Sequence, residues 1–77
     1  MAEFTFGQGK RYRATLTLGW IEQIASNDMI AAEFAKAGFG EVVVQGEGET
    51  RLAQGTWTGA SREVDLPGQV VDVVEVA

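Results

Sequence analysis

Residues 26–44, SNDMIAAEFAKAGFGEVVV, decide the fold: they read as an amphipathic helix, a glycine stop and a strand. Ser26 and Asn27 carry short side-chain oxygens that can accept bonds from the orphan N–H groups of a first helical turn. Asp28 follows where the positive end of the helix dipole favours an anion. Ile30, Phe34 and Ala37 recur at i, i+4 and i+7 and so share one face, flanked by Met29, Ala31 and Ala35. Glu33 and Lys36 stand three apart, close enough to pair in water. Gly38 supplies the left-handed residue that ends a helix at little cost, and Phe39 can fold back over the last turn. Val42, Val43 and Val44 then predict a buried strand. Because this is the one strong helix of the chain, Phe34 is the expected anchor of the core.

Toward the N-terminus, Lys10 to Leu18 gives the cleanest strand. Tyr12, Ala14, Leu16 and Leu18 point one way and Arg11, Arg13, Thr15 and Thr17 the other. Trp20, Ile21 and Ile24 suit a short helical turn before the main helix, with Trp20 plugging the strand-to-helix corner. Residues 1–9 alternate ahead of Gly7-Gln8-Gly9, with Phe4 and Phe6 on one side. They predict either a short edge strand folded onto the core or an arm that adds to a neighbouring subunit's sheet.

Toward the C-terminus, Gly46-Glu47-Gly48-Glu49 joins two strand-like runs as a hairpin. In the second run Leu52, Gln54 and Thr56 share one face and Arg51, Ala53, Gly55 and Trp57 the other. Gly55 inside a strand signals a bulge or the close approach of another element, which leaves the side taken by Trp57 open. Arg62 to Leu66 alternates again, with Val64 and Leu66 inward and Glu63 and Asp65 outward. Pro67-Gly68 turns the chain into Val70–Val76, VVDVVEV, whose two faces both carry valine. Only Asp72 and Glu75 guard that strand against other chains, so it is either central or an edge meant to be used.

The expected fold is α+β and two-layered: one main helix on a four- to five-stranded, mostly antiparallel sheet, in the order β-α-β-β-β-β. Residues 1–9 form an arm or edge strand, and residues 10–77 a single domain. The first crossover should be right-handed, with parallel strands if both lie in one sheet. Strands after Val42 should pair antiparallel. A helix of roughly 11 residues is about 16 Å long at 1.5 Å per residue, and four or five strands at ~4.8 Å spacing make a wider sheet. A second chain is therefore expected to supply the missing cover.

Composition narrows the function. The chain is 45% hydrophobic and 22% charged, a globular balance. Its net charge of −5 lies wholly in the second half: residues 1–40 hold four acids and four bases, residues 41–77 seven acids and two bases. An acidic surface repels phosphate backbones, which disfavours nucleic acid. There is no His or Cys, so Ser-His and Cys-His nucleophiles and the common zinc sites are excluded. Gly7-Gln8-Gly9-Lys10 and Gly46-Glu47-Gly48 lack the full spacing of phosphate loops. Glu47 with Glu49, and Glu63 with Asp65, read as solvated faces, so neither a catalytic centre nor a cofactor is expected. No apolar run reaches the ~20 residues of a membrane helix, and the first residues lack a signal-peptide layout. The expected location is cytoplasmic or inside a cytoplasmically assembled particle.

Arg11 and Arg13 stand side by side and are expected to pair with acids such as Glu63 and Asp65, or with a partner's acidic patch. The expected function is a non-enzymatic protein-interaction or assembly module, a homo-oligomer or a small component of a larger, phage-like particle. Its candidate contact residues are Phe4, Phe6, Arg11, Arg13, Val71, Val73 and Trp57. The alternative is a small-ligand or carbohydrate site lined by Trp20 and Trp57.

Overall fold

The computed structural model describes residues 2–20 and 22–76, without the side chains of Ala2 and Glu22. The strands are β1 (Ala2–Phe6), β2 (Arg11–Thr17), β3 (Phe39–Gln45), β4 (Thr50–Trp57), β5 (Arg62–Leu66) and β6 (Val70–Val76). The helix α1 (Asn27–Ala37) stands between β2 and β3, after a single 3-10 turn at Glu22–Ile24. Ile21, expected in that turn, lies outside the described residues.

The sheet is divided. Four strands run in the order β3-β4-β2-β6, and β1 pairs with β5 as a separate two-stranded ribbon. All these pairings are antiparallel. Since β2 and β3 are each antiparallel to the β4 between them, they run parallel to one another. The order around the helix is the expected one, with β1 as an added first strand. The single sheet of four or five strands becomes four plus two.

The local chemistry of α1 follows its sequence. Ser26 Oγ accepts the Met29 N–H at 3.1 Å, which caps the first turn. Gly38 ends the helix at φ 124°, and its carbonyl accepts the Thr58 N–H at 3.0 Å and the Thr58 hydroxyl at 2.8 Å. A Cβ at Gly38 would sit 3.0 Å from the Trp57 ring, so both backbone angle and space require glycine. Gly55 is also crowded: a Cβ there would lie 3.2 Å from Phe39 Cβ and 3.3 Å from Val42 Cγ2. It faces a bulge in β3, between Gly40 and Val43, where Glu41 takes φ 51°.

The core lies between the four-stranded sheet and a roof made of α1 and the ribbon. Tyr12, Ala14, Leu16 and Leu18 are all buried, on the one face that their alternation assigns. Trp57 falls on the inner face with Ala53, Gly55 and Arg51. Trp57 and Phe6 are each 1% exposed and stack at 5.2 Å between ring centroids. Phe39 meets both rings edge-on at 5.0 Å.

Three expectations change here. Phe34 is half-buried and packs against the margin of the core, meeting the Phe39 ring at 5.7 Å; the anchor is the Phe6–Trp57 stack. Trp20 is no plug: it is 80% exposed. The run Val42–Val44 is not a buried strand but half of an edge, with Val43 exposed between half-buried neighbours.

Truncating Phe6 or Trp57 to Ala should therefore cost about 3–5 kcal/mol and leave the chain largely unfolded. Phe34→Ala, on a half-buried side chain, should cost roughly half as much. Urea titrations followed by far-UV circular dichroism measure the difference, and equal losses would move the centre of the core back to the helix.

Candidate functional site

The two halves of the roof draw together at one end, where Phe34 of the helix and Phe6 and Leu66 of the ribbon line one small void, and part at the other. Helix α1 packs chiefly on β3, the ribbon packs over the aromatic end of the sheet, and an open groove of about 730 Å³ separates helix from ribbon. Its floor is Leu16, Leu18 and Val70; its walls include Ile30 and Phe34 from the helix and Leu66 from β5. Beneath the aromatic cluster the remaining void is only about 10 Å³, room for at most one water. Of these two spaces the larger is thus the one open to the surface. Ile24 and Met29 stand on the lip of the groove, 86% and 61% exposed. The charged side chains at the rim are Glu33, Lys36 and Asp65, and the Lys36 amine is held by Glu33 at 3.3 Å. The rim is acidic on balance.

The start of the helical arm is fixed by a residue whose sequence pattern gave no warning. Arg51 is 4% exposed, although it is charged and lies in a strand beside a glycine-rich hairpin. Its Nη1 donates to the Ala25 carbonyl and to Asn27 Oδ1, both at 2.9 Å, and Nη2 donates to the Gln23 carbonyl at 2.9 Å. Nε donates to the Gly48 carbonyl at 3.1 Å. All four acceptors are neutral. The planar fork of the guanidinium suits several fixed carbonyls at once, and it clamps the 3-10 turn and the first residue of α1 to the β3–β4 hairpin. Asn27 completes the clamp by donating to the Gly46 carbonyl at 3.1 Å. This is what holds Ile24 and Met29 at the groove's lip.

The residues singled out from sequence are scattered. Phe6 and Trp57 are inside the core, where their surfaces are already covered, and Phe4 is half-buried on the ribbon. The Trp57 Nε1–H donates to the Ala60 carbonyl at 2.9 Å, and the Arg62 guanidinium lies 5.5 Å from the ring centre. With Trp57 buried and Trp20 exposed, the two tryptophans do not line a common cleft. Arg11 donates to Thr56 Oγ1 at 3.1 Å and to the Glu41 carbonyl at 3.2 Å. Arg13 is exposed. Neither arginine pairs with Glu63 or Asp65, because β5 left the main sheet to join β1. Those acids instead face Thr5 and Glu3 across the ribbon. Val71 is exposed and Val73 half-buried, both on the outermost strand β6.

Among the described residues no three acidic side chains converge as a metal site would need. Glu47 and Glu49 are exposed in their hairpin, and Lys10 is drawn to Glu75 at 3.6 Å. No helix is long and apolar enough to cross a membrane. The chain is a small, mostly β, α+β domain with an apolar groove between α1 and β5. Comparison with protein-family models, with curated proteins and with solved structures finds no match to it.

Arg51→Met should remove the clamp while keeping the side-chain volume. Three backbone carbonyls and Asn27 Oδ1 lose their donor, a cost of about 2–3 kcal/mol. Arg51→Lys should restore little, since an ammonium cannot reproduce the fork. Thermal melts give the cost, and amide hydrogen exchange should accelerate at residues 22–27 before the rest of the chain. Uniform exchange in Arg51→Met would show that the clamp has no local role.

Proposed function

We propose that this domain is a non-enzymatic protein-interaction or assembly module, acting as a homo-oligomer or as a small component of a larger assembly. The observation that carries the proposal is the open apolar groove between α1 and β5, beside an aromatic cluster whose own void is only about 10 Å³. Its occupant is a partner segment that inserts apolar side chains and carries basic residues beside them, opposite Glu33 and Asp65.

The groove's volume also lies within the ~300–1,000 Å³ of small-molecule pockets, which keeps an apolar small ligand as the second reading. The lip favours a protein. A molecule lying in the groove would leave Ile24 and Met29 in water, whereas a partner chain resting on the rim covers them. Exposed apolar side chains gathered at one site mark an interaction surface more often than scattered ones do.

Selection of a random peptide library on the immobilised full chain tests this. The enriched peptides should combine apolar residues with Lys or Arg, and should lose at least about tenfold in affinity against Met29→Glu and Ile24→Glu, variants that keep the wild-type melting temperature. Failure to enrich any peptide, or enriched peptides indifferent to both substitutions, would overturn the groove as the docking site.

A further inference from the structure

One wall of the groove is lined by four consecutive residues, Val64, Asp65, Leu66 and Pro67. A strand that shows a face contributes only every second residue. Leu66 is buried, Val64 half-buried and Asp65 exposed, so their side chains alternate between the two faces of the ribbon, yet all three border the same groove. Strand β5 therefore turns its edge to the groove. Among the described residues none of β1 lines it, so this is the edge of β5 that β1 leaves open. The opposite wall is one face of α1, with Ile30, Glu33, Phe34 and Ala37 at i, i+3, i+4 and i+7.

The edge is regular and open. β5 pairs with β1 over five successive residue pairs without a register shift, whereas the ladders that hold β3 and β6, the edge strands of the larger sheet, each contain one. In an antiparallel ladder alternate residues turn N–H and C=O away from the partner strand. Among the described residues no backbone hydrogen bond outside the β1 ladder involves Arg62–Leu66. The outer face of the ribbon carries Glu63 and Asp65, with Glu3 opposite Asp65. None of these three acids forms an ion pair among the described residues.

We propose that the groove takes its partner as an extended strand added to the open edge of β5, apolar at every second residue and with Lys or Arg between. The proposal rests on the reading of the groove as a protein-docking site and gives the partner's conformation and pattern. A strand added there lies ~4.8 Å from β5, in the space between it and α1. Alternate side chains turn down onto Leu16, Leu18 and Val70. The intervening ones stand beside Glu63 and Asp65 on the outer face, where opposite charges across strands stabilise and like charges do not. The same acids turn away β5 of a second copy. Helix α1, at 1.5 Å per residue, is about 16 Å long, the span of about five extended residues at ~3.3 Å each. A docked helix would meet the same apolar walls but would leave the N–H and C=O groups of β5 without strand partners.

Two peptide libraries of equal composition, selected on the immobilised full chain, test the binding mode. One alternates apolar and basic residues; the other places the apolar residues at i, i+3, i+4 and i+7. The alternating library should be enriched at least about tenfold over the helical one. In its tightest peptide, N-methylation of every second backbone nitrogen should raise Kd at least about tenfold, and of the intervening nitrogens far less, because only one set faces β5. Bound, that peptide should slow amide hydrogen exchange at alternate residues of Arg62–Leu66. Preference for the helical library, equal losses from both sets of N-methyl groups, or unchanged exchange in β5 would each overturn strand addition while leaving the groove as a docking site. Enrichment from neither library would also overturn it, and the docking reading then stands or falls with the random-library selection.

Discussion

The fold depends on one aromatic stack. Trp57 ends β4, Phe6 ends β1, and Phe39 begins β3, and these rings lie 5.0–5.2 Å apart between centroids. Tyr12 joins them from β2, 4.8 Å from Phe6. The cluster therefore ties together the ribbon, the sheet and the helix-to-strand junction. The surrounding backbone is fitted to it: Gly38 leaves room for the indole, the Gly38 carbonyl accepts from Thr58, and the Phe6–Trp57 contact holds the end of β1 against the sheet. Rings of this size bury 150–250 Å² each, a large share of what so short a chain can hide.

That arrangement answers the shortage of cover that the sequence implies. One helix cannot roof a four-stranded sheet, and the rest of the roof comes from the same chain: β1 and β5 leave the sheet, pair with each other and cap its aromatic end. The two covers arrive from different parts of the chain and close on each other near Phe34 and Leu66 but not along the rest of their length. The groove is the space left between them. Its shape is a consequence of the topology, since the helix is bound to β3 by the Gly38 junction while β5 is bound to β1. Arg51 adds to this by anchoring the helix start to the β3–β4 hairpin.

What was legible in the sequence was local. Ser26 and Gly38 cap the helix as their chemistry predicts, the 3-10 turn precedes it, and the alternation of Tyr12, Ala14, Leu16 and Leu18 assigns the buried face of β2. The hairpin at Gly46–Glu49 and the turn at Pro67-Gly68 are also where their residues place them. What was not legible was long-range. The pairing of Ala2 with Leu66 and of Phe6 with Arg62 joins the two ends of the chain, and no local pattern announces it. Without that pairing Phe6 reads as an arm and Glu63 and Asp65 as partners for Arg11 and Arg13. Arg51 misleads in a different way. Its charge makes its face of β4 look outward, although the same alternation carries Ala53 and Trp57 inward, and only carbonyls from a distant turn make that burial tolerable.

The molecule's surface bears on what its open features are for. The chain exposes 4761 Å², against about 4,600 Å² expected from the scaling of area with mass for a folded monomer of this size. The difference is small: the single chain exposes about the area of an ordinary folded domain of its mass. The groove is a feature of this fold: apolar surface left accessible between α1 and β5. An apolar surface of that kind is what the proposed association would use, while the Phe6–Trp57 stack holds the domain itself.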